Sequence, residues 1–319
     1  MIQGSAYLSK HALAAGDAAI LEALRLKASS AEPGLQTVQV QDKFDAMMEG
    51  VPPAPGVRFE RDTVGGVVGT WVHPPKTKPG QVILYLHSGW FSLGSVKAYR
   101  GFVGHLATKV RAHAFIPDYR LAPEDPFPAA VRDVYACYRC LEKMGIPRVA
   151  VVGDSAGGNL ALVLALLVAE EVHFPKPALV AVTAFSPITD LTLSGATYTT
   201  RASVDPYLTR SHVAGLVRSY LGRADARHPM ASPLKARFAG LPSIRIHVGD
   251  DEVLLDDSLR YVERAVTAGV DAKLDVWMGM PHGFAGSVGT LKAATEALNA
   301  TADFLATMLL AANEGRASV

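Results

Sequence analysis

The stretch that most constrains the fold of this chain is an apolar run, a glycine-rich turn and a long apolar segment, from Val149 to Ala169. Residues 149–152 are a Val/Ala run, which is typical of a buried parallel strand. The next five residues read Gly-Asp-Ser-Ala-Gly, and the Ala/Leu/Val series after them is long enough for a buried helix. A strand, a tight turn and a helix are the context in which the Gly-x-Ser-x-Gly pattern predicts a nucleophilic serine.

Ser155 is therefore the candidate nucleophile. A turn this tight excludes bulky side chains, and Gly153 and Gly157 flank the serine at the required positions. We expect its hydroxyl at the N-terminus of the following helix, where free N–H groups favour developing negative charge. The structural alternative is a glycine-rich turn that only lets the strand and the helix pack closely.

The composition is that of a globular protein with a large core. Hydrophobic residues make up 49% of the 319 residues and charged residues 19%. The formal net charge is +1, and no Lys/Arg cluster stands out, so nucleic acid and anionic membrane surfaces are poor candidates as partners. The sequence shows neither a signal-peptide pattern nor a charge-free apolar run of about twenty residues that could span a membrane. We therefore expect a soluble, cytoplasmic protein.

No pattern in the sequence calls for a metal ion or an organic cofactor. Cys137 and Cys140 form a C-x-x-C pair, but their surroundings read as the middle of a helix, whereas a redox cysteine is activated at a helix N-terminus. A zinc site would need two further ligands, and no paired Cys or His is near in the sequence. We expect two ordinary helical thiols, no cofactor and no metal.

Strand and helix patterns alternate regularly from Gln81 onward. The predicted strands cover Val82–Leu86, Ala114–Pro117, Val149–Val152, Leu179–Phe185, Ile244–Val248 and Lys273–Trp277. Besides the helix after Ser155, helices are predicted at Val96–Val110, Pro128–Met144, Leu254–Ala268 and Leu291–Leu310. A hairpin precedes them, with strands Val57–Val64 and Val67–His73 around Gly65-Gly66. This alternation implies an α/β fold with a mostly parallel sheet and helices on both faces.

Two segments fall outside the alternation. Residues 1–50 are predicted to form an N-terminal helical cap segment, with an amphipathic helix from Ala6 to about Lys27 and a candidate second helix from Leu35 to Met48. Residues 51–319 then form the main domain. A stretch at about 190–241 contains no convincing strand pattern, and we interpret it as an inserted helical cap.

Polar side chains follow three of the predicted strands in the order Ser, acid, His. Ligands bind at the carboxyl ends of parallel strands, where Ser155, an acidic loop and His282 would meet. The histidine would accept the serine proton, and the acid would fix the imidazole tautomer. Without the other two residues, His282 could also be interpreted as a structural histidine in a turn beside a proline. The chain order is that of the α/β-hydrolase arrangement.

The acidic loop offers five carboxylates, Asp250, Asp251, Glu252, Asp256 and Asp257. We predict Asp251 as the acid, because it lies just beyond the strand and before the helix. Asp256 and Asp257 are expected to cap or solvate that helix, and Asp250 is a candidate turn residue.

These motifs resemble the hormone-sensitive-lipase-type esterases, a bacterial carboxylesterase branch of the α/β-hydrolases. The matching stretches are Gly153–Asn159, Asp118–Glu124 with Phe127–Ala130, and Pro281–Phe284, while Asp251–Leu254 falls where the family has its acid-bearing loop. Ser186–Thr192 and Val276–Met280 are similar to the subset that includes monoterpene ε-lactone hydrolases. The resemblance implies hydrolysis of small apolar esters or lactones under a helical cap, and it is compatible with a homodimer.

One stretch departs from the family pattern of His-Gly-Gly-Gly and an aromatic residue. Here it reads His-Ser-Gly-Trp-Phe over residues 87–91. By the family pattern, the main-chain N–H groups of Gly89, Trp90 and Ala156 would form the oxyanion hole. A tryptophan at a position that suits glycine has two possible effects. It either turns a main-chain N–H donor away from the oxyanion, or it leaves the donors in place and narrows the substrate pocket with its apolar surface. We expect the narrower pocket. Trp90, Phe91 and Phe284 are the candidate pocket residues.

Three classes of function fit these features. The main prediction is a serine carboxylesterase that hydrolyses short-chain acyl esters through an acyl-enzyme. A lactone hydrolase or an acyltransferase could use the same triad. A non-catalytic small-ligand-binding protein on the hydrolase scaffold is the third reading. The presence of His282 favours an enzyme, and the altered loop at residues 87–91 keeps the binding alternative open.

Overall fold

The computed structural model describes residues 6–29, 37–171 and 178–311. Within these ranges the strands are β1 (Leu8–His11), β2 (Arg58–Val64), β3 (Val67–His73), β4 (Gln81–Leu86), β5 (His113–Pro117), β6 (Arg148–Asp154), β7 (Ala178–Phe185), β8 (Ser243–Gly249) and β9 (Ala272–Trp277). The helices are α1 (Ala15–Ser29), α2 (Thr37–Met48), α3 (Val96–Val110), α4 (Ala129–Lys143), α5 (Ala156–Glu170), α6 (Thr197–Thr200), α7 (Arg210–Leu221), α8 (Leu255–Thr267) and α9 (Lys292–Ala311).

The strands form one sheet in the order β1-β9-β8-β7-β6-β4-β5-β3-β2. The hairpin pair β2–β3 and the pair β3–β5 are antiparallel. The other pairs described are parallel, and every residue of the central strand β4 is buried. Strands covered on both faces need apolar side chains at successive positions rather than an alternating pattern. The predicted α/β fold with a mostly parallel sheet is confirmed.

Helices cover both faces of the sheet and enclose two hydrophobic cores. Helices α4, α5 and α8 pack on one face, together with α7 of the inserted segment. Helices α3 and α9 pack on the other face, where Leu21 of α1 joins them. Helix α5 is buried along nearly its whole length, which explains its continuous apolar sequence. No helix among the described residues is both long and apolar enough to cross a lipid bilayer.

The N-terminal segment differs from its prediction. The helix predicted from Ala6 is wrong at its start, because Leu8–His11 forms β1 and pairs in parallel with β9 at the edge of the sheet. The His11 ring stacks on Trp277 with ring centroids 3.9 Å apart, and its Nε2 lies 2.8 Å from Asp275 Oδ1. These partners are distant in sequence, so the local pattern could not reveal the strand. Residues 30–36, which include the start of the second predicted helix, lie outside the described residues.

The segment at about 190–241, predicted to be an inserted helical cap, is helical in part. It contains α6, α7 and a short 3-10 turn at Pro233–Lys235, and no strand is described in it. At its base the fully buried Asp190 pairs with Lys235 at 3.1 Å and with Arg260 of α8 at 3.2 Å. Asn159 of α5 donates 2.8 Å hydrogen bonds to the carbonyls of Ile188 and Ala231. These contacts join the segment to α5 and α8.

Candidate active site

Ser155 occupies a strained turn between β6 and α5. Its φ of 53° and ψ of −112° lie outside the regions that L-residues normally adopt. Its N–H donates to Phe185 O at 2.7 Å, which helps to hold this conformation. A Cβ atom on Gly153 would overlap the carbonyl of Gly157, and one on Gly157 would overlap the carbonyl of Leu86. The two flanking glycines are therefore required by space, and the turn presents the serine side chain at the strand end.

A histidine and a carboxylate continue from this serine. His282 Nε2 lies 3.1 Å from Ser155 Oγ, and His282 Nδ1 lies 2.7 Å from Glu252 Oε2. Because a carboxylate accepts, Nδ1 carries the proton and Nε2 is left to accept the serine proton. This arrangement activates a hydroxyl: the nucleophile is hydrogen-bonded to a base, and the base is hydrogen-bonded to an acid that orients it.

Glu252 is held firmly in this position. The residue is fully buried. While Oε2 faces His282, Oε1 accepts 2.7 Å hydrogen bonds from Ser186 Oγ and from Gly249 N. With both oxygens occupied, the carboxylate cannot rotate freely, so it fixes the ring orientation of the histidine.

The prediction of Asp251 as the acid is wrong. Asp251 forms an ion pair with Arg25 of α1, and Arg25 also donates to Gly279 O at 3.2 Å. The Asp251 carboxylate is thus paired with Arg25, whereas the carboxylate that faces His282 is that of Glu252. The family's acid-bearing loop covered both residues, and the longer glutamate side chain makes the contact. The sequence pattern thus locates the acid-bearing loop but does not distinguish Glu252 from its neighbour.

The other acids of this loop hold neighbouring segments. Asp250 accepts a hydrogen bond from the N–H of Gly279. Asp256 accepts from Ala196 N at 2.8 Å, and Asp257 accepts from Thr189 N at 2.7 Å. Asp256 and Asp257 lie in the first turn of α8, and beyond the expected capping or solvation their carboxylates also bind the backbone of the inserted segment at Ala196 and Asp190.

The loop that follows β4 contains three successive residues with positive φ. Gly89, Trp90 and Phe91 have φ values of 121°, 55° and 60°. A Cβ atom on Gly89 would overlap the carbonyl of Leu93, so glycine is needed there, whereas Trp90 tolerates its positive φ. Among the described residues, no hydrogen-bond acceptor is found for the N–H groups of Gly89, Trp90 and Ala156. These amides therefore have no acceptor within the described part of the chain, and their role as the oxyanion hole stays a prediction.

Comparison with known proteins agrees with this fold. The family model described as "alpha/beta hydrolase fold" matches residues 83–286. The chain belongs to the α/β-hydrolases. An acetyl-hydrolase of Streptomyces hygroscopicus is 39% identical over 235 residues, covering 73% of this hydrolase and 76% of the relative. Esterase LipI of Mycobacterium tuberculosis is 34% identical over 251 residues, covering 75% of this chain and 77% of its own.

Solved structures extend the likeness to nearly the whole hydrolase. The crystal structure of an esterase from the bacterial hormone-sensitive lipase family superimposes with a TM-score of 0.86 at 34% identity, covering 94% of this chain and 100% of the other. The esterase EstE5, soaked with p-nitrophenyl butyrate, gives a TM-score of 0.84 at 35% identity, with coverages of 93% and 99%. The resemblance of this hydrolase to hormone-sensitive-lipase-type esterases is confirmed. Its closer likeness to the lactone hydrolases stays a prediction.

The three predicted pocket residues of the hydrolase have different surroundings. The Trp90 ring lies beside His282, with ring centroids 6.3 Å apart. Phe91 stacks on Tyr220 of α7 with ring centroids 3.7 Å apart, so it joins the oxyanion loop to the inserted segment. Phe284 packs near Trp277, at a centroid distance of 6.0 Å. All three side chains are buried, with Phe91 and Phe284 each 2% and Trp90 8% exposed. Trp90 is the one whose ring lies beside the base, and the pocket role of all three stays a prediction.

The surroundings of His282 make it a stronger base than an isolated histidine. Burial opposes its charged form, but the hydrogen bond and the negative charge of Glu252 outweigh burial and raise the pKa above its usual value. The charges of Asp205 and Asp154 act in the same direction. The positive charge that develops on the histidine during proton transfer is therefore stabilised.

This raised pKa sets the expected pH dependence of the hydrolase. Protonated His282 cannot accept the serine proton, so kcat/KM falls as the pH falls through its pKa. We expect the midpoint of this acid limb above about 6.5, the reference value for histidine. Measuring kcat/KM for an uncharged ester from pH 5 to 9 tests the expectation. A midpoint below the reference value would mean that burial dominates over Glu252.

Proposed function

We propose that this hydrolase is a serine carboxylesterase that cleaves short-chain acyl esters through an acyl-enzyme, with Ser155 as nucleophile, His282 as base and Glu252 as orienting acid. The observation that carries the proposal is the continuous hydrogen-bond chain from Ser155 Oγ through His282 to Glu252. A protein that only binds a small ligand does not require this series of hydrogen bonds.

The reaction follows from the geometry. Ser155 Oγ attacks the ester carbonyl carbon while His282 Nε2 takes its proton, and the carbonyl oxygen becomes an oxyanion facing the N–H groups of Gly89, Trp90 and Ala156. Collapse of this intermediate breaks the bond to the alcohol, which leaves with the proton from His282. Water then attacks the acyl-enzyme, His282 again takes and returns a proton, and the carboxylic acid is released with Ser155 restored.

The aromatic residues near the base favour a short acyl group. The large Trp90 ring lies next to His282, and the adjacent residue Phe91 stacks on Tyr220. An acetyl-hydrolase is among the relatives, at 39% identity. Both observations support small acyl groups over long chains.

We also propose that residues 1–50 and about 190–241 cap this site. Each segment contacts a neighbour of Glu252: Arg25 pairs with Asp251, and Asp205 accepts a hydrogen bond from Val253 N at 2.9 Å. Thr197 donates to Val253 O at 2.6 Å.

The cytoplasmic location, the homodimer and the lactone and acyltransferase alternatives remain predictions from the sequence. A product assay with water and alcohol as competing acceptors distinguishes the acyltransferase.

The test is rapid-mixing kinetics with p-nitrophenyl acetate, butyrate and octanoate. We expect a burst of one equivalent of p-nitrophenol, an acyl-enzyme mass adduct on Ser155, and kcat/KM falling with chain length. The matched variant Trp90→Gly should widen the acyl range, because it removes the large ring and relieves a positive φ. No turnover of any ester by the folded protein would overturn the carboxylesterase proposal. An unchanged chain-length profile in Trp90→Gly would overturn the pocket role of Trp90.

A further inference from the structure

Ser88 replaces the first of the three glycines in the family's oxyanion motif, and the structure gives its hydroxyl specific partners. The residue is buried, with 7% of its surface exposed. The hydroxyl oxygen of Tyr99 in α3 lies 2.8 Å from Ser88 Oγ, close enough to accept its hydrogen. The same tyrosine hydroxyl lies 3.1 Å from Asp154 Oδ2, within donating distance. The oxyanion loop is thus connected to the residue that precedes the nucleophile.

Asp154 is the centre of this small network. Its Oδ1 accepts a 3.0 Å hydrogen bond from the hydroxyl of Tyr85. Desolvation raises the pKa of Asp154 to about 6, while hydrogen bonds from Tyr85, Tyr99 and Ser88 act to lower it. At neutral pH the group is therefore mainly a carboxylate, and hydroxyl groups bind an ionised acceptor strongly. Such a carboxylate is a firm anchor for the hydroxyls around it.

The backbone of Ser88 is held as well as its side chain. Its carbonyl accepts a 2.8 Å hydrogen bond from His87 Nδ1, and the His87 carbonyl accepts a 2.7 Å bond from the hydroxyl of Tyr119. The peptide that carries the Ser88 carbonyl also carries the Gly89 N–H. Because a peptide unit is planar and trans, fixing the carbonyl direction fixes the N–H in the opposite direction. Any group that immobilises Ser88 therefore aims the Gly89 N–H.

We propose that Ser88 is a positioning residue whose hydroxyl, through Tyr99 and Asp154, locks the peptide that presents the Gly89 N–H to the oxyanion. The inference rests on the proposed ester hydrolysis. Glycine at this position would offer no side-chain anchor and more backbone freedom. Ser88 therefore couples the oxyanion loop to the nucleophile turn, so that donor and nucleophile keep a fixed relative position.

The kinetic test compares Ser88→Ala, Tyr99→Phe and the double variant. Losing an oxyanion donor outright costs roughly a hundred- to a thousandfold in rate, so a misaimed donor should cost about tenfold in kcat with KM nearly unchanged. The inhibition constant of a trifluoromethyl ketone, whose serine adduct carries an oxyanion, should rise by the same factor. The double variant should be no slower than the slower single variant, because both remove one network. Ser88→Thr retains a hydroxyl and should recover most of the rate.

The chain offers matched controls. Ser258 and Tyr261 of α8 are fully buried, and their hydroxyls have no hydrogen-bond partner among the described residues. Ser258→Ala and Tyr261→Phe remove the same groups and should leave kcat and the inhibition constant unchanged. Equal kcat for wild type and Ser88→Ala, or an effect on KM alone, would overturn the positioning role.

A second measurement separates this inference from the esterase proposal. The urea unfolding free energies of the four proteins in the Ser88/Tyr99 cycle report their coupling without any substrate. An inactive wild type with non-additive unfolding energies would overturn ester hydrolysis and leave the network in place. Full esterase activity of the wild type with strictly additive unfolding free energies would overturn the proposed coupling of Ser88 and Tyr99. The proposal of ester hydrolysis would then stand.

Discussion

Replacing Glu252 with glutamine is expected to lower kcat for ester hydrolysis about ten-thousandfold, the loss typical of a triad whose acid becomes an amide. An amide can donate to His282 Nδ1 and so stabilise the wrong tautomer. It also removes the negative charge that raises the pKa of the histidine. Steady-state kinetics with p-nitrophenyl acetate, with thermal unfolding as a check on folding, measures the effect.

The neighbouring aspartate supplies the matched control. Asp251→Asn makes the same chemical change one residue away, but its partner is the partly exposed Arg25 rather than the histidine. Exposed ion pairs contribute at most about 1 kcal/mol, so kcat should stay within about fivefold of the wild type. The opposite result, a large loss of kcat in Asp251→Asn and an unchanged kcat in Glu252→Gln, would support Asp251 as the acid, as the sequence predicts.

Removing the nucleophile is expected to have the largest effect. Ser155→Ala should lower kcat about a millionfold, as loss of a triad serine does in other serine hydrolases. The variant should also lose labelling by a fluorophosphonate, which reacts only with an activated serine. Residual labelling at another residue, with turnover retained, would show that Ser155 is not the nucleophile.

Ser155→Gly extends this test to stability. It should be as inactive as Ser155→Ala yet more stable, because the φ of 53° and ψ of −112° suit glycine and strain any residue with a Cβ atom. Strain of this kind costs about 1–3 kcal/mol. Urea unfolding of the two inactive variants compares them directly. Equal stability would mean that the turn stores no strain at this residue.

The parts of the site that lie within one local motif could be predicted from the sequence. Ser155 and His282 each lie in a short motif directly after a strand, and the structure brings them within hydrogen-bond distance. The choice between Asp251 and Glu252 depended on side-chain reach and on Arg25 of a distant helix, neither of which a local pattern contains.

Contacts between distant parts of the chain explain the other features that the sequence alone could not predict. Strand β1 forms because β9 offers its edge and Trp277 stacks on His11, a pairing between residues far apart in the chain. Phe91 and Phe284 follow strands next to site residues, so adjacency suggested a pocket role. Their burial against Tyr220 and Trp277 could be seen only once the layers were packed.

The pairing of β1 with β9 bears on how the protein is made. The two strands are joined across a long sequence separation: His11 and Asp275 are 264 residues apart. During synthesis β1 leaves the ribosome first and has no partner until β9 has been translated. The edge of β9 and the His282 loop that follows it therefore gain their support late. The ribosome-bound chain should therefore stay inactive until β9 and the His282 loop have been translated and have left the ribosome.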